Sequence, residues 1–235
     1  MPNTAIIIPC YNEELRLNFN KIQELHGSAD ADIYLCNDGS TDKTLQLINT
    51  FAEKLPRCFV INFEENTGKA NTIFRAANQI LEKGDYTHLG YFDADFSTPV
   101  SEINRMLAHV NVHPETFILG SRVQLLNYHI NRKNYRHYIG RIIITIANFK
   151  LDLGIYDTQC GAKIFPVSIA REAFEKPFMT SWLFDMEIFL RLKNKDLLKK
   201  GQEFPLLEWT DVDGSKLSWK SAFKIFKELY QLSKL

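Results

Sequence analysis

Short apolar runs rich in β-branched residues recur along this chain with helix-period segments between them, and few architectures accommodate that alternation. Thr4 to Pro9, Asp32 to Cys36, Cys58 to Phe63, His88 to Phe92 and Thr116 to Leu119 read as strands. Glu13 to Leu25, Asp42 to Lys54, Gly68 to Lys83, Val100 to Val110 and Tyr135 to Leu151 read as helices. Such a pattern predicts an α/β domain with a Rossmann-like, mostly parallel central sheet and helices on both faces. The alternation breaks after Gly120, where a basic loop and a long helix intervene. A strand at Ala162 to Phe165, a helix near Phe184 to Lys199, a strand at Glu203 to Trp209 and a terminal helix over 215–235 follow. No linker, repeat or low-complexity stretch divides the 235 residues, so a single domain, 1–235, is expected.

Acidic and basic residues balance at 28 each, which argues against a protein that coats nucleic acid. The balance hides an asymmetry: no acid occurs from Thr116 to Leu151, where Arg122, Arg132, Lys133, Arg136, Arg141 and Lys150 all fall. Cys10, Cys36, Cys58 and Cys160 lack metal-ligand or redox spacing and read as buried, reduced thiols of a cytoplasmic protein. The N-terminus runs into Thr4 to Pro9 without a basic segment or cleavage site, so no signal peptide is expected. The most apolar later stretch, Ile139 to Phe149, is short and contains Arg141, so no bilayer span is expected either.

Chemistry concentrates where strands end, the edge at which open α/β sheets bind ligands. Asp93-Ala94-Asp95 follows the apolar run Leu89 to Phe92. Two carboxylates there suit Mg²⁺ or Mn²⁺ holding a diphosphate, although such a pair also occurs in solvated turns and helix caps. Asn37-Asp38-Gly39-Ser40-Thr41-Asp42 reads as a turn and N-cap, with Asp38 left to point across the strand ends. Gly68-Lys69 opens a helix against its dipole, which calls for a nearby anion; the Walker spacing is absent.

In order and spacing, Ile6 to Glu14, Asn37 to Asp42, Asn66 to Ala70, Asp93 to Asp95 and Gly120-Ser121-Arg122 resemble family 2 glycosyltransferases of GT-A fold. Tyr156 to Lys163 and Asp213-Gly214-Ser215-Lys216-Leu217 look like the branch that glycosylates polyprenyl (dolichyl) phosphates. Ser97-Thr98-Pro99 stands where mannosyl-type relatives carry glutamine and His-Pro, and no arginine lies between Trp209 and Asp213, so the glucosyl type is favoured. The resemblance implies an inverting, metal-dependent hexosyltransferase with UDP-glucose as favoured donor and GDP-mannose as the other, acting at the cytoplasmic membrane face. It implies nucleotide-sugar contacts from Pro9, Tyr11, Asn12, Glu13, Asp38, Gly39, Lys69, Asp93 and Ala94. Asp93 and Asp95 would hold Mg²⁺ or Mn²⁺. Asp95, Arg122 and Asp157 would serve catalysis, and Arg122, Arg136, Arg141, Gln159 and Lys216 would meet the diphosphate or the acceptor phosphate. Many relatives continue into transmembrane helices, unlike this sequence.

Two surfaces carry a membrane reading beside an ordinary one. Leu125, Leu126, Tyr128, Ile130 and Tyr135 interleave with the basic residues as in a loop entering a bilayer interface, while a solvated loop would look the same. In the terminal helix, Trp219, Phe223, Phe226 and Tyr230 oppose Lys216, Lys220, Lys224 and Lys227, which fits either an anionic bilayer or packing on the sheet. Asp157, Asp185 and Glu187 remain. A hydroxyl acceptor needs one of them as base, whereas a phosphate monoester, with second pKa ~6, attacks already ionised. The alternatives to a polyprenyl-phosphate enzyme are therefore a soluble relative acting on a saccharide or small-molecule hydroxyl, and a nucleotide-sugar-binding protein without turnover.

Overall fold

The computed structural model describes residues 4–84, 86–132, 134–212 and 219–234. Its centre is a seven-stranded sheet ordered β3-β2-β1-β4-β7-β5-β8. The strands are β1 (Thr4–Cys10), β2 (Ala31–Asp38), β3 (Cys58–Phe63), β4 (His88–Phe92), β5 (Phe117–Ser121), β7 (Ala162–Pro166) and β8 (Gly201–Pro205). Alternation along each strand sends successive side chains to opposite faces. Ala5 and Ile7 enter one apolar core, and Ile6, Ile8 and Cys10 the other. Helices α1 (Phe19–Ser28), α2 (Thr44–Ala52) and α4 (Val100–Val112) cover the second core. Helices α3 (Lys69–Lys83), α5 (Asn134–Leu151), α6 (Val167–Ala173), α7 (Phe184–Asn194) and α8 (Trp219–Leu232) cover the first. The expected α/β sheet with helices on both faces is present.

Strands β1 to β4 are parallel, as is the β5–β8 pair. Strand β7 is antiparallel to both neighbours, with Ala162 opposite Phe92 and Pro166 opposite His88. The chain therefore re-enters the sheet from the edge where β4 ends. That direction leaves residues 157–161 on the ligand edge, beside Asp93.

Three features depart from the sequence reading. Helix α1 starts at Phe19 rather than Glu13, because Asn18 caps it through Lys21 N–H (3.1 Å) and residues 12–14 are bonded elsewhere. The expected strand from Glu203 to Trp209 divides at Leu206, which donates to Ser121 C=O (3.0 Å). Its second part, β9 (Glu208–Thr210), pairs with β6 (His129–Asn131) in a small separate sheet. Strand β6 and helix α6, at three and seven residues, are too short for a periodicity to register. Helix α8 joins the first core through Ile225, Leu229 and Leu232, as its packed reading expected, and Tyr230 is exposed. Residues 213–218, including Lys216 and the whole Asp213 to Leu217 motif, lie outside the described residues. No helix among the described residues is long and apolar enough to cross a membrane.

Candidate active site at the strand ends

Strand order reverses between β1 and β4, since β2 and β3 lie on one side of β1 and β4 on the other. The crevice at such a point is where open α/β sheets take ligands. The loops after β1 and β2 wall one side by exchanging hydrogen bonds. Asn12 N–H donates to Ser40 Oγ (3.1 Å), Glu13 N–H to Thr44 Oγ1 (2.8 Å) and Glu14 N–H to Asp42 Oδ2 (3.1 Å). In return, Thr41 N–H donates to Asn12 Oδ1 (2.8 Å) and Lys43 N–H to Glu14 Oε2 (3.2 Å). Asn12 adopts φ 52°, a conformation asparagine tolerates better than most residues. Gly39, at φ +62°, is needed for space as well, since a Cβ there would lie 2.4 Å from Asn66 N.

Asp38 reaches across the strand ends to the loop after β3. It is 2% exposed, and its Oδ1 and Oδ2 accept Thr67 N–H and Gly68 N–H, both at 2.9 Å. It thereby shapes the turn that starts α3. Pro9 is partly buried at the end of β1, Tyr11 is half-exposed beyond it, and Ala94 is buried between the two acidic residues.

Asp93 and Asp95 stand at the mouth of the crevice, both partly exposed. Asp93 N–H donates to Gly161 C=O (3.1 Å), and a Cβ on Gly161 would lie 1.9 Å from Asp93 Oδ2, so the carboxylate lies against bare backbone. Its Oδ1 meets the Lys69 ammonium, the anion expected at this helix start. Burial opposes the charge on Lys69, but Asp93, Asp185 and Asp95 outweigh it and raise its pKa. Asp95 accepts its own-loop Ser97 N–H (2.9 Å), and burial together with the Asp93 charge raises its pKa. Burial likewise raises Glu13, against the pull of Arg16 and with a push from Asp95. A second cation here would relieve this crowding of acids. Among the described residues no group of three or more His, Cys, Asp or Glu side chains is set to hold a metal. Asp93 and Asp95 thus offer two carboxylates and require further ligands such as phosphate oxygens and water, a donor set that fits Mg²⁺ or Mn²⁺.

The opposite wall gives Arg122 an acidic partner from outside its acid-free stretch. Arg122 forms a two-pronged pair with Asp157, Nε to Oδ2 at 2.7 Å and Nη2 to Oδ1 at 2.8 Å. The partner comes from 35 residues downstream, which an acid-free local stretch does not reveal. The pair is nearly sealed, at 9% and 2% side-chain exposure, and Trp209 lies 5.0 Å from the guanidinium. Arg122 N–H (3.0 Å) and Gln159 N–H (3.3 Å) also donate to Asp157. Despite burial, Arg122 holds the Asp157 carboxyl well below the usual range. Glu203 of β8 binds the next backbone, taking Tyr156 N–H (2.8 Å) and Asp157 N–H (2.9 Å). Burial and the neighbouring Arg122 lower the pKa of Arg132. Arg136 and Arg141 lie on α5, with side chains outside the described set.

Asp185 and Glu187, the other candidate bases, are committed. Asp185 Oδ1 meets Lys163 Nζ at 2.8 Å and accepts the Tyr91 hydroxyl. Lys163, wholly buried, also donates to Cys160 C=O (2.5 Å). Glu187 is wholly buried and accepts Met179 N–H (3.0 Å), Thr180 N–H (3.0 Å), Thr180 Oγ1–H (2.9 Å) and Arg191 Nη2–H (2.7 Å). Lys163 was not singled out from sequence, and a lone lysine in an apolar strand is the one signal that could have found it.

Comparisons with known proteins agree with this geometry. The family described as glycosyl transferase family 2 matches residues 5–174. A dolichyl-phosphate beta-glucosyltransferase of Trichomonas vaginalis is 27% identical, covering 98% of this chain and 70% of the relative. Those of Dictyostelium discoideum and Saccharomyces cerevisiae are 28% and 26% identical, covering 97% and 96% of this chain and 73% and 72% of the relatives. Among solved structures, glucosyl-3-phosphoglycerate synthase from Mycobacterium tuberculosis with Mn²⁺, uridine diphosphate and phosphoglyceric acid aligns with TM-score 0.73 at 14% identity, covering 99% of this chain and 78% of that one. Its complex with Mn²⁺, UDP-glucose and phosphoglyceric acid gives TM-score 0.72 at 13% identity, covering 99% and 80%. The GT-A fold follows from these alignments.

Proposed function

The chain belongs to glycosyl transferase family 2, and on that premise we propose that it moves glucose from UDP-glucose to dolichyl or another polyprenyl phosphate, with inversion at the anomeric carbon. The observation that carries the acceptor class is the engagement of every candidate base. Asp157 is closed by Arg122, Asp185 by Lys163 and Tyr91, and Glu187 by four donors. A hydroxyl acceptor needs a free base. A phosphate monoester is largely ionised near neutral pH, with second pKa ~6, and needs none. The names of the curated relatives favour the same acceptor.

Asp93 and Asp95 would hold Mg²⁺ or Mn²⁺, which when bound supplies charge neutralisation for the departing diphosphate. The loop pairs 12–14 and 40–44 would keep the crevice shaped for the nucleotide. Gln159, on the loop held by Asp157 and Glu203, has a buried Nε2 without a partner among the described residues and would donate to a phosphate oxygen. Arg132, with Arg136, Arg141 and Lys216, would supply positive charge on the acceptor side, and Asp157 would hold Arg122 in place. Leu126 is 89% exposed in the loop after β5, and Phe149 is 91% exposed on α5. These leucine and phenylalanine side chains, within the acid-free basic stretch, favour contact of this side with a membrane surface carrying the lipid acceptor.

Transfer of labelled glucose from UDP-glucose with Mn²⁺ tests the reading, using dolichyl phosphate, dolichol and soluble saccharides as parallel acceptors. Product is expected with the phosphate alone, and Asp95→Ala should abolish it. Comparable transfer to a hydroxyl would support the soluble-acceptor enzyme instead, and no turnover with any acceptor would support a binding protein.

A further inference from the structure

Exposure separates three of the ion pairs described at this edge of the sheet. Arg122–Asp157 and Lys163–Asp185 are nearly sealed, at 9%/2% and 0%/5%. Lys69–Asp93 stands open at 39%/37%. Resting on the reading of Asp93 and Asp95 as cation ligands, we propose that Lys69 is a tethered competitor of the metal. Its ammonium holds Asp93 in the nucleotide-free protein and leaves when cation and diphosphate bind, so that each ligand depends on the other.

The placement of Lys69 supports this. It is the first residue of α3, whose first turn carries no acid and whose N-cap, Gly68, makes no side-chain cap. A lysine is unfavourable at that positive helix end, and Asp93 compensates it from outside the helix. On the other side, the Asp93 carboxylate lies against Gly161, where a Cβ would come within 1.9 Å of Oδ2 and 2.6 Å of Oδ1. Oδ1, the oxygen farther from Gly161, is the one that Lys69 contacts, and a divalent ion bound there would have to share or take it. Partly exposed pairs are weakly held, so exchange is feasible here and not at the two sealed pairs. On release, the ammonium keeps Asp185 as a second attracting carboxylate and remains near the Phe184 ring, 5.8 Å from its centroid. A bound diphosphate would offer it a stronger partner while supplying oxygens to the metal.

The test is a titration of the purified chain with Mn²⁺, following free ion by electron paramagnetic resonance, with and without UDP. Lys69→Met is expected to bind bare Mn²⁺ roughly fivefold or more tightly than wild type, and to lose a similar factor of the UDP-induced gain, since coupling is reciprocal. Lys69→Arg keeps the charge and is expected to bind the bare ion as weakly as wild type. Equal binding by wild type and Lys69→Met, with unchanged UDP enhancement, would overturn the competitor role while leaving the cation site intact. Tight bare-ion binding by Lys69→Arg would also overturn it. If no form binds Mn²⁺ even with UDP, the assignment of Asp93 and Asp95 falls, and the role of Lys69 with it.

Discussion

Breaking the Arg122–Asp157 pair should cost stability first, and the two halves should not cost the same. Both side chains are nearly sealed, so loss of one partner strands a buried charge, an effect of about 3–5 kcal/mol. In a domain of this size each kcal/mol moves Tm by about 2–4 °C, which gives a fall of roughly 6–20 °C. Arg122→Met removes only the guanidinium. Asp157→Ala also strands the N–H groups of Arg122 and Gln159, so it should be the more damaging variant. Acid provides a second readout. The native carboxyl of Asp157 is depressed below its unfolded value, so its stabilisation is present above the unfolded pKa of ~3.9 and is lost as pH falls through the lower native one. Circular-dichroism melts should therefore show a constant gap between wild type and Asp157→Asn from about pH 8 to about pH 5, narrowing below about pH 4. Melting of Arg122→Met and Asp157→Ala within about 2 °C of wild type, less than 1 kcal/mol by the same scale, would refute the reasoning and return Arg122 to a free phosphate ligand.

Other outcomes follow from the same contacts. Asp38→Ala should lose about 2–4 kcal/mol in urea denaturation, because Thr67 and Gly68 N–H lose a charged acceptor; unchanged stability with weaker UDP binding would mark it as a nucleotide contact instead. Glu187→Gln should lower Tm while leaving kcat per folded molecule within about twofold, whereas loss of a base costs roughly 10²–10⁴ in rate; that larger loss in a stable variant would restore Glu187 as the base. A chain ended before Trp219 should lose cooperative unfolding in calorimetry, not merely lipid binding, since Ile225, Leu229 and Leu232 each contribute about 1.5–3 kcal/mol of burial; a wild-type transition in that chain would return α8 to the membrane.

The strands β1 to β4 and their helices were legible because each is a local pattern: an apolar run, a turn, then a helical period. The pair Asp93 and Asp95 was legible for the same reason, standing just past an apolar strand. The antiparallel β7 was not, since a strand's direction depends on where the preceding chain re-enters the sheet. Nor was the role of Arg122, whose partner lies 35 residues away in sequence. Helix α8 was read from its aromatics and lysines, and Ile225, Leu229 and Leu232, which join it to the core, went unremarked.

Several acidic residues near this edge also serve the fold. Loops above a sheet leave backbone N–H groups without ladder partners, and burial makes each one costly. This chain meets that demand with carboxylates brought from other elements, which accept without donating and bond strongly when ionised. Asp38 takes Thr67 and Gly68, Glu102 takes Leu207, Glu187 takes Met179 and Thr180, and Glu203 takes Tyr156 and Asp157. Glu228 takes Ser181, Trp182 and Leu183 at 3.2, 2.9 and 2.9 Å, fastening α8 to the approach of α7. Asp93 and Asp95 differ. One meets an exposed lysine and the other bonds its own turn, and both remain partly open to the crevice. A carboxylate spent on a neighbouring loop is tied to the fold, and the two that are not are those we propose as ligands of a cation at this edge.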